Sequence, residues 1–314
     1  MGRIETLNQI KSVMLGHAGA DALGVPVEFK GREALRKNPV VGMRGFGTHH
    51  VPAGAWSDDT SMALCAFDAL CHGDWSFDSV MENFVAWLER GEFTPTGICF
   101  DVGRTSMKAI LDFICNQKPA LKCGCEAEYD NGNGSLMRIH PFVLYAHAKE
   151  LPLDEWIGLI KDASAITHAH ERSKVGCLIY AFVLMQLLRE NSKEGILSGL
   201  RRAKCELRDC EEICHYGRIF ESGFAYLDES EIRSSGYVVD TLEAALWCIL
   251  TTESYKECVL KAVNLGEDTD TVAAVAGGLA GALYGYDAIP EEWRDVLIKR
   301  DAIEDLCERA CDSF

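Results

Sequence analysis

The segment Val272–Tyr284 reads Val-Ala-Ala-Val-Ala-Gly-Gly-Leu-Ala-Gly-Ala-Leu-Tyr, apolar on every face and dominated by small residues. Such a run predicts a helix enclosed on all sides. Glycine inside a helix costs about 1 kcal/mol relative to alanine. Gly277, Gly278 and Gly281 therefore imply neighbouring helices that approach this one very closely. A similar small-residue stretch, Gly16-His17-Ala18-Gly19-Ala20-Asp21-Ala22-Leu23-Gly24, lies near the N-terminus.

Helical spacing runs through most of the remaining chain. Val80, Phe84, Trp87 and Leu88 stand at i, i+4, i+7 and i+8. Met107, Ile110, Leu111 and Ile114 repeat the stripe, as do Leu242, Leu246, Ile249 and Leu250. Asp240 or Thr241 is placed to cap the last of these helices, and Ser254 the next, which should stop near Gly266. Residues 171–189 are apolar on nearly every face, the pattern of a helix at the centre of a bundle. No alternating strand run and no repeat is found. The expectation is one all-α domain over residues 1–314. Long loops at 39–57 and 116–135, rich in Gly, Pro and Asn, are functional candidates.

Two acidic segments head apolar stretches: Trp56-Ser57-Asp58-Asp59-Thr60 and Gly266-Glu267-Asp268-Thr269-Asp270-Thr271. Asp, Ser and Thr at a helix start accept orphan N–H bonds and oppose the dipole, which accounts for any one of them. It does not account for Asp58, Asp59, Asp268 and Asp270 together, because adjacent carboxylates repel. If the two helix starts converge, their four negative charges match two divalent cations. Hard oxygen donors without Cys or His favour magnesium or manganese, with Ser57 and Thr271 able to complete the shells.

Asn131-Gly132-Asn133-Gly134-Ser135 is either a tight turn or a nest of backbone N–H groups for pyrophosphate or ribose oxygens. A helix directly after it would add its positive end. His168 and His170, in Thr167-His168-Ala169-His170, are open to a cap, ligand-stacking or metal role. Glu28 is a lone acid in an apolar context, where partial burial would raise its pKa toward the range useful for acid–base work.

The balance of 31 basic and 48 acidic residues gives a net charge of −17. Nucleic acid and anionic membrane surfaces both demand a basic footprint, so neither is expected as a partner. No signal-like segment and no run of membrane-spanning length is seen, and 14 cysteines read as free thiols in a reducing cytoplasm. Cys205, Cys210, Cys214 and His215 lack the paired spacing of a zinc knuckle. Met1-Gly2-Arg3-Ile4-Glu5-Thr6 fits the loose myristoylation pattern, which is too short to carry weight.

Five segments, in this order, resemble the ADP-ribosylglycohydrolase family: Gly19–Glu28, Trp56–Met62, Phe100-Asp101-Val102-Gly103, Asn131–Arg138 and Gly266–Thr271. Thr167-His168 before a long apolar helix also fits. The resemblance spans Gly16 to about Trp293 and implies a compact orthogonal helical bundle with a central metal-containing cleft. It implies two Mg2+ or Mn2+ ions held by Ser57, Asp58, Asp59, Asp268, Asp270 and Thr271. The family commonly has threonine where Ser57 stands, and the hydroxyl is kept. Glu28 matches the family's acid–base or water-activating residue, acting beside Asp58 and Asp59. Asp101 and Gly103 would line the cleft near the scissile bond. Asn131, Gly132, Asn133, Gly134, Ser135 and His168 would hold ADP-ribose.

The implied reaction is metal-dependent hydrolysis of the bond between ADP-ribose and an acceptor side chain, arginine first. The expected partner is an ADP-ribosylated protein or an ADP-ribose conjugate, and the expected state is a monomer. Two rival functions remain: a dinuclear-metal hydrolase of a free conjugate or nucleotide, and a non-catalytic crystallin-like or ADP-ribose-binding protein.

Overall fold

Helical periodicity in the sequence becomes fourteen α-helices in the computed structural model, which describes residues 2–314. Met1, the first position of the myristoylation pattern, lies outside the described residues. The first half holds α1 (Arg3–Gly24), α2 (Arg32–Lys37), α3 (Asp58–Leu70), α4 (Phe77–Arg90) and α5 (Arg104–Asn116). Next come α6 (His140–Ala148), α7 (Leu153–Ala165), α8 (Glu171–Arg189) and α9 (Lys193–Glu206). The chain closes with α10 (Val238–Leu250), α11 (Tyr255–Asn264), α12 (Thr269–Tyr284), α13 (Glu291–Val296) and α14 (Arg300–Ser313). Among the described residues there is no strand, only two isolated bridges, Cys125–His168 and Gly132–Tyr237. Both tie loops together at the functional site. Among the described residues no helix is long and apolar enough to cross a membrane.

The two small-residue stretches are α1 and α12, and they pack on each other backbone to backbone. A Cβ on Gly281 would sit 2.0 Å from the Ser12 carbonyl oxygen. One on Gly24 would sit 2.4 Å from the Asp270 Cα. Any side chain at these points would push the helices apart. Tyr255, on α11, donates its hydroxyl to the Gly16 carbonyl (2.6 Å), occupying an oxygen on the inner face of the crossing. As its sequence predicts, α8 is buried along nearly its whole length and packs on α7, α9, α10 and α12.

Three local expectations differ from the structure. Asp240 and Thr241 fall inside α10, whose N-cap is Tyr237 without a side-chain bond. Thr241 instead donates to the Ser235 carbonyl (3.0 Å), fastening the loop in front of the helix. The helix expected directly after Ser135 begins only at His140, because Leu136–Arg138 form turns. The apolar stripe of α5 is incompletely covered, with Leu111 exposed. Ser254 does cap α11, accepting from Glu257 N at 3.2 Å. All fourteen cysteines are free. Among the described residues, none of the His, Cys and carboxylate groups converging at metal-ligand distances contains a cysteine.

Two glycine substitutions test the crossing. Gly281→Ala should lower unfolding free energy by about 2 kcal/mol or more through overpacking, despite alanine's better helix propensity. Gly158→Ala, in α7 with nothing within 4 Å of the new Cβ, should raise it by about 0.5–1 kcal/mol. Denaturant melts of both variants check the pair.

Candidate active site

Capping at the start of α3 is carried out by residues other than its two aspartates. Ser57 accepts from Asp59 N (3.3 Å) in the ordinary N-cap manner. The remaining orphan donors go to Asp21, which reaches across from α1. Its carboxylate accepts from Ser57 N (2.9 Å) and Thr60 N (3.0 Å), and from the hydroxyls of Ser57 (2.9 Å) and Thr60 (2.6 Å). Asp58 and Asp59 are thereby left over, and both are buried. At the other helix start, Asp268 is the N-cap of α12, yet its side chain makes no capping bond. Its Oδ2 accepts from the Asn133 side-chain amide instead (2.9 Å).

The two acidic segments meet. Thr271 Oγ1 donates to Asp59 Oδ2 at 3.2 Å, and Ser57 Oγ lies 3.1 Å from the same oxygen. Three buried carboxylate oxygens, Asp59 Oδ1, Asp268 Oδ1 and Asp270 Oδ2, have no hydrogen-bond partner. Orphaned buried acceptors are costly. Burial first, then the charges of neighbouring carboxylates, drives Asp58, Asp59 and Asp270 well above the usual carboxylate range. Asp21 is pushed up to about 6 by burial, partly offset by its four hydrogen bonds. Unpaired oxygens, clustered negative charge and flanking hydroxyls form a donor set that fits hard divalent cations. Glu28, Asp268 and Asp270 also bring oxygens within 4.8 Å of one another.

Above these carboxylates opens a cleft of about 350 Å³, within the range of small-molecule sites. It is lined by Glu28, Asp58, Asp101, Gly103, Gly132, Asn133, Gly134, His168, Asp268 and Thr271 among the sequence-derived site residues. The structure brings ten of the fifteen to one surface. Ser57, Asp59 and Asp270 lie beneath it in the carboxylate cluster. Asn131 and Ser135 lie behind the glycine loop as braces. Asn131 Oδ1 accepts from Ser173 Oγ (2.9 Å), and Ser135 Oγ accepts from Ser164 Oγ (2.9 Å). The loop is a fixed wall, with Asn133 N bonded to the Gly236 carbonyl (3.0 Å).

His168 faces the cleft as a neutral ring. Burial holds its pKa down to about 3, and the buried Arg138 guanidinium adds to the effect. Arg138 Nη2 donates to Thr167 Oγ1 (2.7 Å), which lies 2.8 Å from His168 Nδ1. The Thr167 hydroxyl, with a proton and a second lone pair to spare, pairs with Nδ1 whichever ring nitrogen carries the proton. His170, by contrast, caps α8, accepting from Arg172 N at 3.1 Å.

Glu28 is buried at the cleft mouth. Burial, reinforced by Asp101 and Asp268 and opposed by a hydrogen bond from His49, pushes it up to about 7. Its backbone is pinned to the second acidic segment: Phe29 N donates to Glu267 O (2.7 Å) and Glu267 N to Lys30 O (2.8 Å). Asp101 stands opposite with φ of +56°, a left-handed conformation that Asp tolerates. Asp21, His49 and Gly236 were given no role from sequence. Asp21 carried a readable signal, being the one charge in the small-residue stretch Gly16–Gly24. His49 and Gly236 sit in irregular loops with none.

Divalent ions should stabilise this cluster in a pH-dependent way. The aspartates have folded pKa values raised above their unfolded ones, so their contribution is present at low pH and lost as pH rises. Metal-free protein is therefore penalised more at pH 8 than at pH 5.5, and ion binding needs the deprotonated ligands. The melting temperature should rise on adding millimolar Mg2+ or Mn2+, by more at pH 8 than at pH 5.5. Asp270→Asn should abolish the rise while melting at or above wild type in EDTA.

Residues 3–314 match the sequence profile of the ADP-ribosylglycohydrolase family. The ADP-ribosylarginine hydrolase of Serratia proteamaculans is 33% identical over 306 residues, covering 97% of this chain and 79% of that protein. The ADP-ribosyl-(dinitrogen reductase) glycohydrolase of Rhodospirillum rubrum is 31% identical over 282 residues, covering 89% and 86%. The solved structure of an ADP-ribosylglycohydrolase-related protein complex is similar over 99% of both chains, with a TM-score of 0.82 and 31% identity. With sequence profile, relatives and architecture agreeing over nearly its full length, this chain belongs to the ADP-ribosylglycohydrolase family.

Proposed function

We propose that this single-domain protein is a metal-dependent hydrolase that releases ADP-ribose from an acceptor side chain of a modified protein, with arginine the first acceptor. The observation that carries the reading is the meeting of Ser57–Asp59 with Asp268–Thr271 beneath a cleft of nucleotide size, in a chain of this family. Ser57, Asp58, Asp59, Asp268, Asp270 and Thr271 would hold two Mg2+ or Mn2+ ions. Such ions supply Lewis acidity toward ribose hydroxyls and a bound water.

The chain's own groups do the rest. The backbone at Gly132 and Gly134 and the His168 ring face the ligand, and backbone N–H groups there explain how so acidic a protein accepts a pyrophosphate. Asn131 and Ser135 support that wall from behind. Glu28, with a pKa near the operating pH, orients water and takes its proton. The water oxygen then bonds to the anomeric carbon as the carbon–nitrogen bond breaks. The proton passes from Glu28 to the leaving guanidine. Asp101 and Gly103 edge the cleft where that leaving group departs.

Incubating an arginine-ADP-ribosylated protein with the enzyme and magnesium or manganese should release ADP-ribose, and EDTA should stop it. Asp58→Asn and Glu28→Gln should each lower kcat about 100-fold or more, in line with loss of a metal ligand or an acid–base group, without loss of fold. ADP-ribose binding with no release from arginine, serine or any other linkage would overturn the hydrolase reading in favour of a binding protein.

A further inference from the structure

A glutamate at a cleft mouth has three rotatable side-chain bonds, and its reach is useful only if one rotamer is held. The turn at residues 45–51 supplies the hold. His49 Nε2 donates to Glu28 Oε2. The imidazole is kept in place by ring packing, with centroids 5.2 Å from Phe100 and 6.2 Å from Phe29. The backbone is committed to the same placement. Thr48 N donates to Pro26 O (3.1 Å), and Phe46 N donates to Val51 O (2.7 Å), closing the turn. Thr48 Oγ1 donates to the Glu28 carbonyl itself at 2.7 Å. A Cβ on Gly47 would lie 1.7 Å from the Pro26 carbonyl oxygen, so only glycine lets the turn come down this far. Phe46 and His50, on either side, both take left-handed backbone conformations, with φ of +56° and +54°. Strain at two non-glycine residues in one short turn persists where the surroundings over-determine it. Here both the hydroxyl of Thr48 and the ring of His49 converge on Glu28.

We infer that His49 is a positioning residue for the hydrolysis: it fixes the Glu28 carboxyl by one oxygen and leaves the other directed to the cleft. The inference rests on the glycohydrolase reading of this site. It adds a residue from outside the acidic segments and the glycine loop, and acts entirely through Glu28.

The test is a mutant cycle on an arginine-ADP-ribosylated protein, using wild type, His49→Ala, His49→Gln, Glu28→Gln and the Glu28→Gln/His49→Ala pair. His49→Ala should lose about ten- to a hundredfold in kcat with KM within about threefold, the pattern of a displaced reacting group. His49→Gln, whose amide reaches about where Nε2 stands, should return to within about fivefold of wild type, because it restores a hydrogen-bond donor to the carboxylate. In the Glu28→Gln background, His49→Ala should cost less than about twofold more, since coupled residues are non-additive. A cooperative thermal melt within a few degrees of wild type in every variant serves as the check that the protein is folded. A parental kcat in His49→Ala, a failure of glutamine to rescue, or a full additional loss on top of Glu28→Gln overturns the assignment. A wild-type enzyme silent on every linkage gives a different signature and brings down the hydrolase reading itself.

Discussion

Everything at the site depends on α1 and α12 touching almost entirely through backbone. Gly16, Gly24 and Gly281 face backbone atoms of the opposite helix, and Gly277 faces the Gly16 carbonyl and the Ala20 methyl, so no large side chain sets the spacing. Gly24 rests on Asp270 itself, so the end of α1 and the start of α12 are one junction. From the same α1, Asp21 grips the start of α3 through four hydrogen bonds. The separation of the two aspartate pairs is thus set by packed backbone and by a buried carboxylate. Sites held this way are pre-organised, and little freedom is left to lose when ligands bind.

The same rigidity explains why the carboxylates tolerate their crowding. Separated aspartates would turn to solvent and relax. These are buried, with three oxygens unpartnered, on helix starts that cannot withdraw without opening the α1–α12 crossing. The energy of the repulsion is carried by hydrophobic packing elsewhere in the core. Such strain at functional positions is a common arrangement in which local destabilisation is retained because the surrounding fold exceeds it. The left-handed residues around the cleft, Phe29, Phe46, His50, Asp101 and Glu267, follow the same logic in the backbone.

Much of this was legible in the sequence, for identifiable reasons. Period-3.6 stripes set out the helices, and α8 has the very bounds its apolar run suggests. Glycines in α12 announced a close neighbour, though only the structure names α1 as that neighbour. The surplus of aspartates over caps pointed to convergence, which Thr271 Oγ1 and Asp59 Oδ2 now realise at 3.2 Å. What spacing could not convey is how roles divide within a motif. Asn131 and Ser135 look no different from Gly132 and Gly134 in sequence, yet they brace the loop while the glycines face the cleft. The turn that presents His49 has no periodicity to read, since its conformation is dictated by contacts with a segment formed elsewhere. Asp240 and Thr241 failed as caps because their side chains bond back to Ser235 in the preceding loop, and α10 starts ahead of them at Val238.

The order of the clustered carboxylates along the chain has a consequence for biosynthesis. One half of the carboxylate cluster is translated early, at Ser57–Asp59, and the other only at Asp268–Thr271. Their meeting also requires α12 to be laid against α1, although Gly24 and Thr269, which touch at the junction, stand 245 positions apart in the chain. A nascent chain not yet extended to α12 therefore holds Asp21, Asp58 and Asp59 without the second half of the carboxylate cluster. Hydrolytic competence therefore waits on α12, so that a product terminated before that helix would be inert rather than partly active.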